Sequence, residues 1–174
     1  MMIDATRLLL VPALMVFPAL MAFAASSDLL TMTISNRISL CLVAGFFVLA
    51  LIIGMSPTTI LAHVGAGALV LAVAFIFFAM GWIGGGDAKL AAATALWLGF
   101  DLLLPYLLYA SLFGGALTLI LLQLRYWPLP KMLAAQPWAL RLHSKDCGIP
   151  YGIALAASAL VVYPDTVWMR AITG

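Results

Sequence analysis

The sequence predicts an all-α integral membrane protein, a polytopic bundle of about six transmembrane helices. Hydrophobic residues make up 66% of the 174 residues and charged residues only 8%, whereas soluble globular domains carry about 25% charged residues. The hydrophobic residues also fall into long runs, and a bilayer core of about 30 Å needs roughly 20 of them for each helix. Together these observations exclude a soluble globular domain.

Six apolar segments account for the predicted bundle, within one membrane domain that covers residues 1–174. Short polar or glycine-rich stretches separate most of them, and a polar linker over 125–148 precedes the last one. Pro105 is expected to break the chain between the fourth and fifth segments, because proline interrupts a helix. The predicted spans are 8–25, 38–55, 60–80, 88–104, 106–124 and 149–169.

Basic side chains predict the orientation, because cytoplasmic loops of membrane proteins are enriched in Lys and Arg. With six spans, most of the basic residues fall on one face of the membrane, which we expect to be cytoplasmic, with both termini outside. The residues on that face are Arg37, Lys89, Arg125, Lys131, Arg141 and Lys145. A cleavable signal peptide is the alternative for the first span, although Asp4 beside Arg7 removes the positive excess that a signal peptide needs.

Composition also excludes several kinds of site. The net charge of +2 is too small to predict a nucleic-acid partner. Cys41 and Cys147 are far apart, so neither a zinc site nor a disulfide framework is indicated, and we expect no metal and no cofactor. His63 is interpreted as a hydrogen-bonded residue of the bundle. The tryptophans at 82, 127, 138 and 168 fit interfacial belts.

Two aspartates are placed where a charge is expensive. The chain has six Asp and no Glu. Asp28 follows the first predicted span, and Asp87 follows the third, within Gly84-Gly85-Gly86-Asp87-Ala88-Lys89. An ionisable residue at a membrane boundary is a functional hypothesis by default. Because the intervening chain crosses the membrane and returns, we expect both carboxylates on one face at similar depth.

Two carboxylates held close together tend to share one proton. The ionised partner can take a proton from water as the water attacks a peptide carbonyl, while the protonated partner donates to the oxyanion. An aspartic protease needs such a pair. The alternative is a purely structural role, in which Asp87 pairs with Lys89, the glycines allow close helix packing and Asp28 caps a helix.

The two aspartate segments resemble the motifs of type IV prepilin peptidases. In the first family motif an Asp is followed six residues later by Ile-Pro-Asn, and here Asp28 is followed by Ile34-Ser35-Asn36. The second motif is Gly-x-Gly-Asp-x-Lys, which the segment 84–89 matches. Similar stretches at 65–68, 96–99 and 149–154 point to the small CpaA/TadV-like branch. Ser35 departs from the usual proline, which puts the local backbone in question.

This resemblance implies a GxGD-type membrane aspartic endopeptidase that removes the short basic cytoplasmic leader from Flp-type prepilins. It makes Asp28 and Asp87 the catalytic pair, located at the cytoplasmic face of the bacterial inner membrane. The supporting residues, which position the motif and do no chemistry, would be Gly84, Gly86, Lys89 and Asn36. We expect no methyltransferase domain of the kind that large family members carry.

The resemblance also implies partners. These are the prepilin leader with its transmembrane helix, the lipid bilayer and other pilus-assembly components. Asp146 is a candidate second contact for the basic leader. Gly65 and Gly67, or Gly114 and Gly115, could receive the prepilin helix, although packing within the enzyme is the favoured interpretation.

Two other functions remain open at this point. One is an archaeal preflagellin-type peptidase with the same chemistry. The other is a non-enzymatic small transporter or secretion-assembly subunit, because paired acids at a membrane boundary also suit a proton or cation site.

Overall fold

The computed structural model describes residues 14–173 and, within them, consists of helices and their connections. The all-α class is therefore confirmed for this part of the chain. Residues 8–13 of the first predicted span, together with Asp4 and Arg7, lie outside the described residues. The helices are α1 Val16–Thr31, α2 Asn36–Ile52, α3 Pro57–Ala79, α4 Gly85–Leu124, α5 Lys131–Ala134, α6 Pro137–His143, α7 Tyr151–Val162 and α8 Val167–Thr173, with a 3-10 turn at Tyr163–Asp165.

Three stretches of the described chain are long and apolar enough to cross a membrane. They are Pro57–Ala79, Gly85–Leu124 and Tyr151–Ala171. α1 and α2 are also apolar but shorter, with 16 and 17 residues. A membrane protein is thus supported. The count of six spans and the outside position of both termini remain predictions.

Serine side chains fix the starts of α2 and α3. Ser56 accepts a hydrogen bond from the backbone N–H of Thr59 at 3.2 Å, and Pro57 occupies the first turn, where its missing N–H costs nothing. Ser35 accepts from the N–H of Arg37 at 3.3 Å. Its φ of −65° is the value that a proline ring imposes. Serine therefore keeps the backbone that the proline of the family motif would give.

The break inside α4 lies at Gly99 and not at Pro105, which corrects the sequence-based prediction. Gly99 has φ 68° and ψ −175°, whereas Pro105 remains inside the helix. The left-handed φ suits glycine because it has no Cβ. Carbonyls just before the break accept side-chain hydrogen bonds, from His63 Nδ1 to Leu96 O and from Trp168 Nε1 to Trp97 O, both at 2.8 Å. These bonds satisfy carbonyls that a helix end leaves free.

An aromatic cluster holds the bundle together around this break. Phe17 stacks on Tyr163 with ring centroids 4.7 Å apart, and Trp97 packs against Trp168 at 5.0 Å. Trp168 is fully buried, so its expected place in an interfacial belt is wrong. Trp82 and Trp127, in contrast, are exposed, as an interfacial position requires.

Replacing Gly99 by Ala should destabilise the fold by about 1–3 kcal/mol, because a left-handed φ is unfavourable for residues with a Cβ. The new Cβ would also lie 3.0 Å from two atoms of the His63 ring. Gly115→Ala is the matched control, since its Cβ would meet nothing within 4 Å inside the same helix. Thermal unfolding in detergent measures both changes. Equal midpoints for the two variants would contradict the role assigned to Gly99.

Candidate active site

Asp28 lies in the last turn of α1 and is only 5% exposed. Its Oδ2 accepts a hydrogen bond from the backbone N–H of Gly152 at 2.7 Å. Gly152 is the second residue of α7, and the first N–H groups of a helix have no partner within the helix. The positive end of the α7 dipole therefore faces the Asp28 carboxylate and favours its ionised form.

The end of α1 holds Asp28 in this position. Met32 adopts a left-handed conformation with φ 55°, and its N–H donates to Asp28 O at 2.8 Å. Ser27 Oγ donates to Thr33 O at 2.9 Å and so ties the outgoing chain back to the last turn. This sharp turn directs the following residues, which include Ile34, towards the start of α4.

Asp87 lies in the first turn of α4, at the third helical position after the extended Gly84. Its carboxylate accepts a hydrogen bond from the backbone N–H of Gly84, as a residue at this position does in a capping box. Within the described chain, its other oxygen, Oδ1, is buried without a hydrogen-bond partner. One oxygen therefore anchors the side chain, and the other has no partner among the described residues.

The structure brings the two aspartates together around Ile34. Their carboxyl groups are close enough to repel each other electrostatically. A Cβ on Gly86 would lie 3.1 Å from Ile34 Cβ, and a Cβ on Gly152 would lie 2.7 Å from Ile34 Cδ1. Ile34 thus packs between the start of α4, which carries Asp87, and the start of α7, which binds Asp28.

The three glycines before Asp87 serve close packing. The left-handed turn after α3 is made by Gly81, with φ 74°, whereas none of the three is recorded with a positive φ. A Cβ on Gly84 would lie 3.0 Å from Asp87 Oδ2, and one on Gly85 would lie 3.2 Å from the Phe78 ring. The geometry therefore supports close packing with neighbouring side chains as the role of these glycines.

Lys89 and Asn36 connect the two aspartate motifs. Lys89 Nζ donates to Asn36 Oδ1 at 2.8 Å, although the residues are 53 positions apart. Both side chains are exposed. The bond joins the starts of α2 and α4, so that it supports the site from outside without touching the carboxylates.

Tyr106 is a residue near the site that the sequence did not reveal. Its side chain is fully buried, and its hydroxyl lies beside Thr94 and close enough to Asp87 for an electrostatic interaction. The change of direction at Gly99 returns the second half of α4 towards Asp87. The sequence does show a tyrosine within an apolar run. Because the adjacent Pro105 was expected to break the helix there, Tyr106 was not singled out.

The linker folds against the same end of the bundle. Arg125 donates to Leu142 O at 2.8 Å, and to Cys147 O and Gly148 O at 3.0 Å each. Arg141 donates to the backbone oxygen of Leu30, two residues after Asp28. Asp146, the candidate leader contact, is exposed on this linker.

The paired glycines mostly pack inside the protein, as the favoured interpretation held. A Cβ on Gly67 would lie 3.1 Å from Leu96 Cβ, one on Gly65 would lie 3.4 Å from Phe100, and one on Gly114 would lie 2.9 Å from Tyr151. Gly115 faces open space. Three of the four glycines therefore pack against neighbouring helices of the same chain.

Comparison with known proteins gives one match. The model of the type IV leader peptidase family matches residues 15–119, a region that contains both aspartates. Neither a curated protein nor a solved structure matches the chain. Within the described residues, no group of three or more His, Cys, Asp or Glu side chains could hold a metal ion.

Proposed function

Because the chain belongs to the type IV leader peptidase family, we propose that it is a membrane aspartic endopeptidase that removes the short basic leader of a prepilin. Asp28 and Asp87 are the proposed catalytic residues. One observation carries the proposal: two carboxyl groups from separate helices lie at the same end of the bundle, close enough to interact electrostatically, and both are inside the matched region. Family membership favours a peptidase over a transporter or an assembly subunit.

The surroundings of the two carboxyl groups suggest different roles for them. The Gly152 N–H and the start of α7 favour charge on Asp28, so Asp28 is the proposed base. Asp87 Oδ1 has no donor among the described residues and is the proposed site of the shared proton. Two carboxyl groups this close cannot both ionise cheaply, which keeps one of them protonated.

The proposed reaction needs only water and this pair. Asp28 takes a proton from water while the water oxygen bonds to the scissile carbonyl carbon, and Asp87 gives its proton to the carbonyl oxygen. In the second step the C–N bond breaks, the diol returns a proton to Asp87, and Asp28 passes its proton to the leaving amine. Both carboxyl groups end in their starting states.

Charge distribution supports a cytoplasmic location for the site. Lys89, Arg125 and Arg141 lie at the same end of the bundle as the dyad, and cytoplasmic segments are enriched in basic residues. The break at Gly99 divides α4, which also favours the six-segment arrangement. We propose a bacterial inner membrane as the location and a Flp-type prepilin as the substrate, the archaeal preflagellin being the alternative.

Co-expression with a candidate substrate tests the proposal. A small prepilin with a basic leader that ends in Gly should lose this leader when both proteins are in the membrane, as intact mass spectrometry shows. A preflagellin expressed in parallel separates the two substrate classes. If both precursors keep their full mass while the enzyme is folded in the membrane, the peptidase assignment is wrong.

A further inference from the structure

A groove of about 510 Å³ opens on the outside of the bundle, and α4 forms its floor. α2 and α3 both pack against α4, and they touch each other where the rings of Phe46 and His63 lie 5.5 Å apart. Each helix contributes one stripe of residues at helical spacing, from Asn36 to Phe47 on α2, from Val64 to Leu71 on α3 and from Lys89 to Leu96 on α4. The groove is thus formed by residues of three helices.

The groove faces away from the catalytic pair. Lys89 lines it, whereas Asp87 does not and interacts electrostatically with Asp28. Two residues of a helix that are two positions apart differ by about 200° in direction. A ligand in the groove would therefore contact the outer side of the first turn of α4 and leave the carboxylates untouched.

The dimensions of the groove suit one extended hydrocarbon chain. The stripe from Asn36 to Phe47 on α2 is about 17 Å long at 1.5 Å per residue, close to half of a hydrocarbon core of about 30 Å.

The polar groups of the groove lie together at one end. Lys89 donates to Asn36 Oδ1 at 2.8 Å and has two further N–H donors. Ser39 lies one turn further along α2, and within residues 14–173 its Oγ is buried without a hydrogen-bond partner. Beyond Ser39 the lining is apolar. An ammonium at the mouth and an apolar channel beyond it match a phosphate and an acyl chain.

From this match we infer that the groove is a phospholipid site. The phosphate binds Lys89, and one acyl chain lies along α2 towards Phe47. This site is separate from the proposed catalytic pair and does not depend on peptidase activity.

Native mass spectrometry of the purified, delipidated protein tests the site. The probes are phosphatidylglycerol and a diacylglycerol with the same acyl chains, so that the two differ only in the phosphate headgroup. We expect the wild type to bind one phosphatidylglycerol about 10-fold more tightly than the diacylglycerol, because a charge-assisted contact is involved. Lys89→Gln should bring this ratio close to 1 and leave diacylglycerol binding unchanged.

A second variant tests the apolar channel. Ala68 lines the groove from α3 and is exposed, so Ala68→Phe should fill the channel and weaken binding of both lipids by about 10-fold. Ala62→Phe, at an exposed position of α3 outside the groove, and Lys131→Gln, at an exposed position of the linker, should stay within about 2-fold of wild type. Thermal midpoints establish that each variant is folded.

Three results would overturn the inference. One is a ratio of phosphatidylglycerol to diacylglycerol affinity that Lys89→Gln leaves unchanged. Another is equal lipid binding by Ala68→Phe and Ala62→Phe. The third is competition by a peptide of the prepilin's hydrophobic segment. If this peptide displaces the lipid from the wild type but not from Ala68→Phe, the groove binds that segment. Asp87→Asn should bind lipid as the wild type does, which separates this site from the catalytic proposal.

Discussion

Changing either Asp28 or Asp87 to Ala should reduce leader removal by roughly 10³-fold or more, because each carboxyl group carries a proton in the proposed reaction. Asp28→Asn and Asp87→Asn should be equally inactive. In Asp28→Asn the new amide oxygen can still accept from the Gly152 N–H, so this variant removes the base without removing the hydrogen bond. Cleavage of a purified prepilin in detergent, followed by mass spectrometry under single-turnover conditions, measures the loss.

Stability separates a catalytic pair from a structural one. Because two carboxyl groups repel each other at this site, Asp87→Asn should keep or raise the thermal midpoint while activity is lost. If the aspartates served only to cap and pack helices, the same change would lower stability and spare cleavage. Asp101→Asn, at an exposed position after the break in α4, is the control and should cleave at the wild-type rate. Normal processing by either Ala variant would exclude the dyad.

The aspartates could be found from the sequence because a charge is rare and expensive in an apolar chain. With only six acidic residues in the chain, each could be examined against the predicted spans. Span counting alone then placed Asp28 and Asp87 at the same face. The candidate pair could therefore be named before any contact was known.

Which residues are buried in the protein and which face the lipid was harder to predict, as Trp168 shows. In a water-soluble helix a polar face marks the exposed side, but a helix surrounded by lipid can be apolar on every face. Composition therefore carries little information on which residues pack inward. Trp168 was assigned to an interface because tryptophan often lies there, whereas its indole is buried against Trp97.

The contacts that hold the aspartates depend on tertiary structure. Gly152 meets Asp28 because α7 begins beside the end of α1, although the two residues are 124 positions apart. Tyr106 comes close to Asp87 because the chain changes direction at Gly99. No local spacing encodes either approach. The sequence-based prediction assigned the helix break to Pro105 and overlooked Gly99, where the break lies.

Replacing Gly152 by Ala should lower the catalytic rate by about 10²-fold, since a displacement of about 1 Å at a reacting group has an effect of that size. The added Cβ would lie 2.8 Å from Asp28 Oδ2, 3.1 Å from Asp28 Cβ and 2.7 Å from Ile34 Cδ1. Contacts this short cannot persist, and Asp28 is held by the last turn of α1. The carboxylate must therefore move, even though alanine retains the backbone N–H that Gly152 donates.

The expected kinetic signature is a fall in kcat with little change in KM, because the prepilin does not need the exact carboxylate position to bind. Gly148→Ala is the matched control, since its Cβ would meet nothing within 4 Å, and it should be fully active. In the Asp28→Asn background, Gly152→Ala should cause no further loss, because both changes act on the same carboxylate. Wild-type cleavage by Gly152→Ala would show that the close contact between α7 and Asp28 is not needed for catalysis.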